Sequence, residues 1–227
     1  MMNAIRRICT SGAIFSLAVF ASSASAQNPP TAFQKQLSRI DLGVSGSGYF
    51  TPNNSGTSYL PQLVGVIPSS TLGATVELRY IASRWVGFEY NYGYARYVDD
   101  FTVTNTTGSP RNASSFVLGV QSKVTEFTVG YIAHPRVIYG LQTFVGGGGG
   151  AIAFRPTPGG GQGVPPVFRG AAYYTVGVEK DVYGEHFGLR AQFRQVFFGS
   201  PDYNQNYLAT GTRSATAEPS VGFYLRF

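Results

Sequence analysis

From residue 40 to the terminal Phe227, apolar and polar positions alternate with period two, the spacing of β-strands whose two faces meet different surroundings. The first such segment, 40–50, sets Ile40, Leu42 and Val44 on one face. In the second, 72–81, Leu72, Ala74, Val76, Leu78 and Tyr80 oppose Gly73, Thr75, Glu77 and Arg79. The third, 86–97, opposes Val86, Phe88, Tyr90, Tyr92 and Tyr94 to Gly87, Glu89, Asn91 and Gly93. A fourth centres on Phe127, Val129 and Tyr131, and a fifth, 138–154, carries Leu141, Thr143 and Val145 before a glycine run blurs its phase. Segments 172–179, 187–194 and 220–227 complete the set, the last with Val221, Phe223, Leu225 and Phe227 on its apolar face. Eight strands are predicted.

Charge placement tests this phase independently, because the apolar residues alone set it. Asp41, Glu77, Arg79, Glu89, Glu126, Glu179, Arg190, Arg194 and Arg226 all fall on the polar face. A soluble sandwich would carry many lysines on that face; these strands carry almost none, and their apolar face is crowded with Tyr and Phe. That is the pattern of a closed barrel with lipid outside and paired charges in a narrow interior. Eight strands leave room only for side chains, so Glu77, Arg79, Glu89, Glu126, Glu179, Arg190 and Arg194 are expected to pair across the lumen.

The connections support the same architecture. Residues 82–85, 133–137 and 180–186 are short turns, while 51–71, 98–123, 155–170 and 199–216 are long and rich in Gly, Pro, Ser, Thr and Asn. Short turns on one side and long loops on the other are the habit of outer-membrane barrels, with the turns and both termini in the periplasm. Tyr80, Trp85 and Tyr131, beside the turns, are placed to form an interfacial aromatic girdle. Arg84, Arg136 and Lys180 lie near them, by lipid phosphates or in water.

The first 26 residues have another character. Arg6 and Arg7 precede a short apolar core from Ala13 to Phe20, and Ala24-Ser25-Ala26 supplies a cleavage site. This is an export signal, with a mature start at Gln27 and a periplasmic segment over 27–39; the apolar run is too short to span a bilayer. Cys9, the only cysteine, lies inside it, so the mature chain has no disulfide and no thiolate metal site. Without the leader the net charge is +4, from 15 basic and 11 acidic residues, with no concentrated basic stripe, so nucleic acid is not an expected partner. Charged residues make up 12% of the chain and aromatics 15%, which excludes intrinsic disorder.

The terminus narrows the class. Ser220, Gly222, Leu225 and Phe227 occupy the four defined places of the assembly signal that ends Gram-negative outer-membrane barrels. With eight strands and a leader, the whole mature chain resembles the small OmpA-like and OmpX-like barrel family. The resemblance implies an all-β, eight-stranded antiparallel up-and-down transmembrane barrel; the chain is expected to depart from the family's two-domain members in lacking their peptidoglycan-binding domain. It also implies outer-membrane lipids, lipopolysaccharide and the barrel assembly machinery as partners, and a structural, adhesive or surface-recognition role carried by four outer loops.

Two other classes share parts of this pattern. A small passive pore would use the interior charges as an ion path. Some eight-stranded barrels modify lipid A with a His, a Ser and an acidic residue near the outer face. This chain has only His134 and His186, and the topology puts both in periplasmic turns, where solvated histidines are expected. No catalytic residue is assigned. Two histidines without cysteine fall short of a zinc set, and Gly146 to Gly150 lacks the Lys-Ser/Thr and β-α context of a phosphate loop. No cofactor is expected.

Overall fold

The computed structural model describes residues 31–58, 62–105, 115–184 and 186–227. The export signal lies outside the described residues. A six-residue helix, α1 (Ala32–Leu37), precedes the first strand in sequence; Thr31 Oγ1 accepts from the Gln34 N–H (3.2 Å). No described helix is long and apolar enough to cross a membrane.

The unit Gln36–Phe227 is built on β1 (Ile40–Tyr49), β2 (Asn54–Thr57), β3 (Gln62–Pro68), β4 (Thr71–Ser83), β5 (Val86–Asn105), β6 (Ser115–Ala133), β7 (Val137–Ile138), β8 (Leu141–Pro156), β9 (Val167–Tyr183), β10 (Phe187–Gly199) and β11 (Arg213–Arg226). Eight of these form a ring in the order β1-β4-β5-β6-β8-β9-β10-β11, every pair antiparallel. The ring closes where β1 pairs β11, with Leu42 opposite Leu225 and Val44 opposite Phe223. Closure leaves the ring no free edge, so each ladder satisfies its backbone donors and acceptors internally.

Side chains sort by parity. On β5, Gly87, Glu89, Asn91 and Gly93 are buried inside while Val86, Phe88, Tyr90, Tyr92 and Tyr94 stand exposed. Tyr92 and Phe127, cross-strand partners on the outer face, meet edge to face at 5.2 Å. An exterior band of exposed Leu, Val, Phe and Tyr around a buried ionic interior inverts the polarity of a water-soluble protein.

The strands are longer than the alternation predicts. Segments 98–105 and 115–123, expected as loop, are paired strand, and the 51–71 connection contains the β2–β3 hairpin. The hairpin adds to the outer half of β5, where Val64 opposes Val103 and Val66 opposes Phe101, and so extends the wall away from the short turns. The reason is a phase inversion near residue 95. Beyond it the inward residues of β5 are Ala95, Tyr97, Phe101 and Val103, while Arg96, Asp100, Thr102 and Thr104 face out. The fifth strand starts at Leu141, after the two-residue β7 and a Tyr139–Gly140 turn in which both φ angles are positive (51° and 77°).

Candidate functional site

The interior at the short-turn end is an ionic layer. From β10, the Arg190 guanidinium donates to Asp41 on β1 (3.1 Å), Glu77 on β4 (2.9 Å) and Glu179 on β9 (2.9 Å). Arg79, from β4, faces Glu89 on β5 (Nε–Oε2 3.1 Å) and donates to Gln192 on β10 (3.0 Å). It also lies 3.5 Å from Glu77 and 3.7 Å from Glu179. The Gln192 amide donates to Glu77. All of these groups are buried.

Aromatic rings fill between the charges. The Phe144 ring lies 4.3 Å from the Arg79 guanidinium, and Tyr224 holds Arg190 at 4.7 Å. Both rings use space that only glycine leaves: a Cβ on Gly177 would overlap Phe144, and one on Gly188 would overlap Tyr224. Higher in the lumen, Arg194 joins Glu126 on β6 to Glu218 on β11 (3.1 Å) and donates to Thr128 (3.1 Å). Tyr173 links the two clusters, donating to Glu89 (2.8 Å) while its ring lies 4.7 Å from Arg194. The seven residues singled out from alternation are thus brought together, in two clusters bridged by one tyrosine. Buried charges are costly unless paired, and these pairs tie β1, β4, β5, β6, β9, β10 and β11 across the lumen.

Glu218 belongs to this layer although the eighth strand was expected to start only at residue 220. His134 also departs from expectation. It is not a solvated turn histidine: it is 2% exposed, its Nε2 is 3.3 Å from Glu179, and its ring lies 6.0 Å from Phe144. The turn after β6 folds inward, held where Arg84 Nε donates to the His134 carbonyl (3.1 Å). His186 stays exposed, against the Arg226 carbonyl (3.1 Å). Among the described residues no group of three or more His, Cys, Asp or Glu is arranged to hold a metal ion.

The outer half of the lumen has a different filling. Val64, Val66, Tyr97, Phe101, Val120, Val124, Ile152, Phe154, Val196 and Phe198 form an apolar core, capped by Tyr203 and Leu208 from the connection after β10. Tyr203 has a positive φ of 50°, packs edge to face on Phe101 at 6.0 Å, and donates to Asp99 (2.7 Å). A void of about 10 Å³, room for about one water, lies beside Glu126 and Glu218 between the two fillings.

Along β5 the run of outward apolar residues ends at Arg96. Ten residues separate Val86 from Arg96; at about 3.3 Å per residue and a tilt near 40°, that is about 25 Å of axial height, the thickness of such a band. Asp99 therefore stands beyond it. Burial lifts the Asp99 carboxyl to about 6, against the opposing hydrogen bond from Tyr203. Because the folded value lies above the unfolded one of 3.8, the associated stability is full below pH 3.8 and is lost as pH rises through about 6. Its full size is roughly 3 kcal/mol. Protease cleavage in the outer loops is therefore expected to be slower at pH 5 than at pH 7 for the wild type. Asp99→Asn should remove that difference, and an unchanged pH dependence in the variant would assign it to another group.

Tyr80, Trp85 and Tyr131 all stand at the short-turn end with outward rings. Trp85 is 58% exposed beside Arg84 (5.5 Å), and the Tyr80 hydroxyl donates to Gln36 (2.7 Å). In the terminal strand, Ser220 and Gly222 face inward, where a Cβ on Gly222 would strike the β1 backbone, while Leu225 and Phe227 are exposed outside.

No protein-family model and no curated protein sequence matches the chain. Solved structures do. Neisserial surface protein A superimposes with a TM-score of 0.50 at 13% identity, covering 83% of this chain and 97% of that one. The outer membrane protein OprG of Pseudomonas aeruginosa gives 0.47 at 10%, with 83% and 95% covered. Ail, the attachment invasion locus protein of Yersinia pestis, solved with the heparin analogue sucrose octasulfate, gives 0.44 at 13%, with 83% and 99% covered. The protein has the fold of the small eight-stranded outer-membrane β-barrels.

Proposed function

We propose that the protein is an integral outer-membrane scaffold without catalytic activity, whose four outer loops carry surface interaction or adhesion. One observation carries this reading: a closed ring with an exposed apolar band outside and a lumen filled twice over, by ions below and by an apolar core above. An apolar exterior of this kind is stable in lipid and costly in water. In this reading the leader exports the chain, and the assembly machinery reads Ser220, Gly222, Leu225 and Phe227. Tyr80, Trp85 and Tyr131 sit at the periplasmic interface, and lipopolysaccharide surrounds the outer half.

The test is made on membranes of a Gram-negative host. The folded protein is expected in the outer-membrane fraction, migrating differently on dodecyl sulfate gels before and after boiling. Deleting Phe227 should sharply reduce that folded band. A single unchanged band from the soluble periplasmic fraction would overturn the membrane reading. Wild-type levels of the deletion variant would overturn the assembly role of Phe227.

A further inference from the structure

At the top of the apolar band three cations line up. Arg96 on β5 is the register partner of Lys123 on β6, and Lys123 is the partner of Arg155 on β8. All three are exposed and face outward. Neighbouring strands lie about 4.8 Å apart, so the row spans about 10 Å. Like charges directly opposite one another across strands are destabilising. Among the described residues no carboxylate forms an ion pair with any of the three; Asp100, the next acid outward on that face of β5, lies four residues beyond Arg96.

The height of the row is set by β5 and by its register with β6 and β8. Arg96 lies ten residues from Val86, the first residue of β5, and the unbroken ladders carry that position to Lys123 and Arg155. Directly below it are Tyr94, Thr125 and Ala153, themselves register partners, and the Tyr94 hydroxyl accepts from Arg96 Nε (3.4 Å). Directly inside it, the lumen changes from ionic to apolar. On the proposed membrane placement, the row stands at the level where acyl chains end and headgroups begin.

We infer that Arg96, Lys123 and Arg155 form a binding row for the phosphates of an anionic glycolipid in the outer leaflet. Such a lipid supplies the missing counter-charge at this height, and its acyl chains lie along the Tyr and Phe band below. The guanidiniums at the two ends can each grip a phosphate with two hydrogen bonds, while Lys123 acts as a point charge between them. This rests on the proposed membrane placement and names the lipid chemistry that the placement brings to the wall.

The test uses the full chain refolded in neutral detergent, with diphosphorylated lipid A as the probe and retained lipid counted by native mass spectrometry. Wild type is expected to retain lipid A, and the R96Q/K123Q/R155Q triple to lose roughly tenfold or more in affinity. Single variants Arg96→Gln and Arg155→Gln should fall between. A charge-matched triple of scattered exposed cations, R136Q/K180Q/R213Q, should bind like wild type. Lipid A stripped of its phosphates should not bind, and millimolar inorganic phosphate should not displace the intact lipid. Equal retention by the row triple, equal binding of the dephosphorylated lipid, or displacement by free phosphate would each overturn the assignment. A wild type that forms no heat-sensitive folded band in neutral lipid vesicles would instead overturn the membrane reading, and the row with it.

Discussion

Replacing Arg190 with Ala is expected to cost the barrel about 3–5 kcal/mol, the range for breaking a buried ion pair from one side. The residue joins Asp41, Glu77 and Glu179, which come from three other strands, at 3.1, 2.9 and 2.9 Å. Without it those carboxylates face one another in a layer closed to solvent, with Arg79 as the remaining central cation. Arg226, at the rim, lies 3.6 Å from Glu179 and is partly exposed, so it compensates weakly. The comparison variant is Arg136→Ala, an exposed turn charge that should leave the unfolding midpoint unchanged. Urea unfolding of both in lipid vesicles provides the measurement. Coincident midpoints for Arg190→Ala and wild type would mean that the ionic layer does not hold the wall together.

How much of this is legible in the sequence depends on one physical boundary. Below residue 95 a strand residue is either in lipid or in the ionic lumen, so Tyr90, Asn91 and Tyr92 announce their sides by polarity alone. Above it the outward residues of β5 are mostly polar and the inside is an apolar core, so Arg96 and Tyr97 obey the same geometry with the opposite chemistry. A phase set from Phe88, Tyr90, Tyr92 and Tyr94 cannot cross that inversion, and the outer strand halves therefore read as loop. Val86 and Tyr94 are the first and last apolar positions that alternation places on β5.

Other members of the site were hidden for local reasons. Glu218 faces inward, but the outward residues next to it on β11 are Ala217 and Pro219, which carry too little apolar surface to reveal the alternation. His134 follows the last residue of β6 and precedes Pro135, where strand periodicity has ended. Its partner Glu179 lies two strands away around the ring, a juxtaposition that only the register across β8 creates. Tyr203 and Leu208 sit in a segment whose Pro, Asp and Asn content marks a surface connection, yet both are fully buried. Nothing local distinguishes a loop that caps a barrel mouth from one that stands in water.

That cap yields the second large effect. Tyr203→Ala removes the ring packed on Phe101 and the hydroxyl shared between Asp99 and Ser122 (2.7 and 2.9 Å). Truncating a buried aromatic costs about 3–5 kcal/mol, and here the loss falls on the outer core rather than on the ionic layer. The connection 200–212 is therefore expected to become a protease target while the heat-sensitive folded band persists. Single-channel current should stay at baseline in both proteins. The Arg79–Phe144–Arg190 layer lies nearer the short turns, and the cap variant leaves it intact. A steady step-like current in wild type would restore the small pore as the better reading. Current in Tyr203→Ala alone would make the outer cap the barrel's only seal and leave the ions below it as the walls of a conducting path.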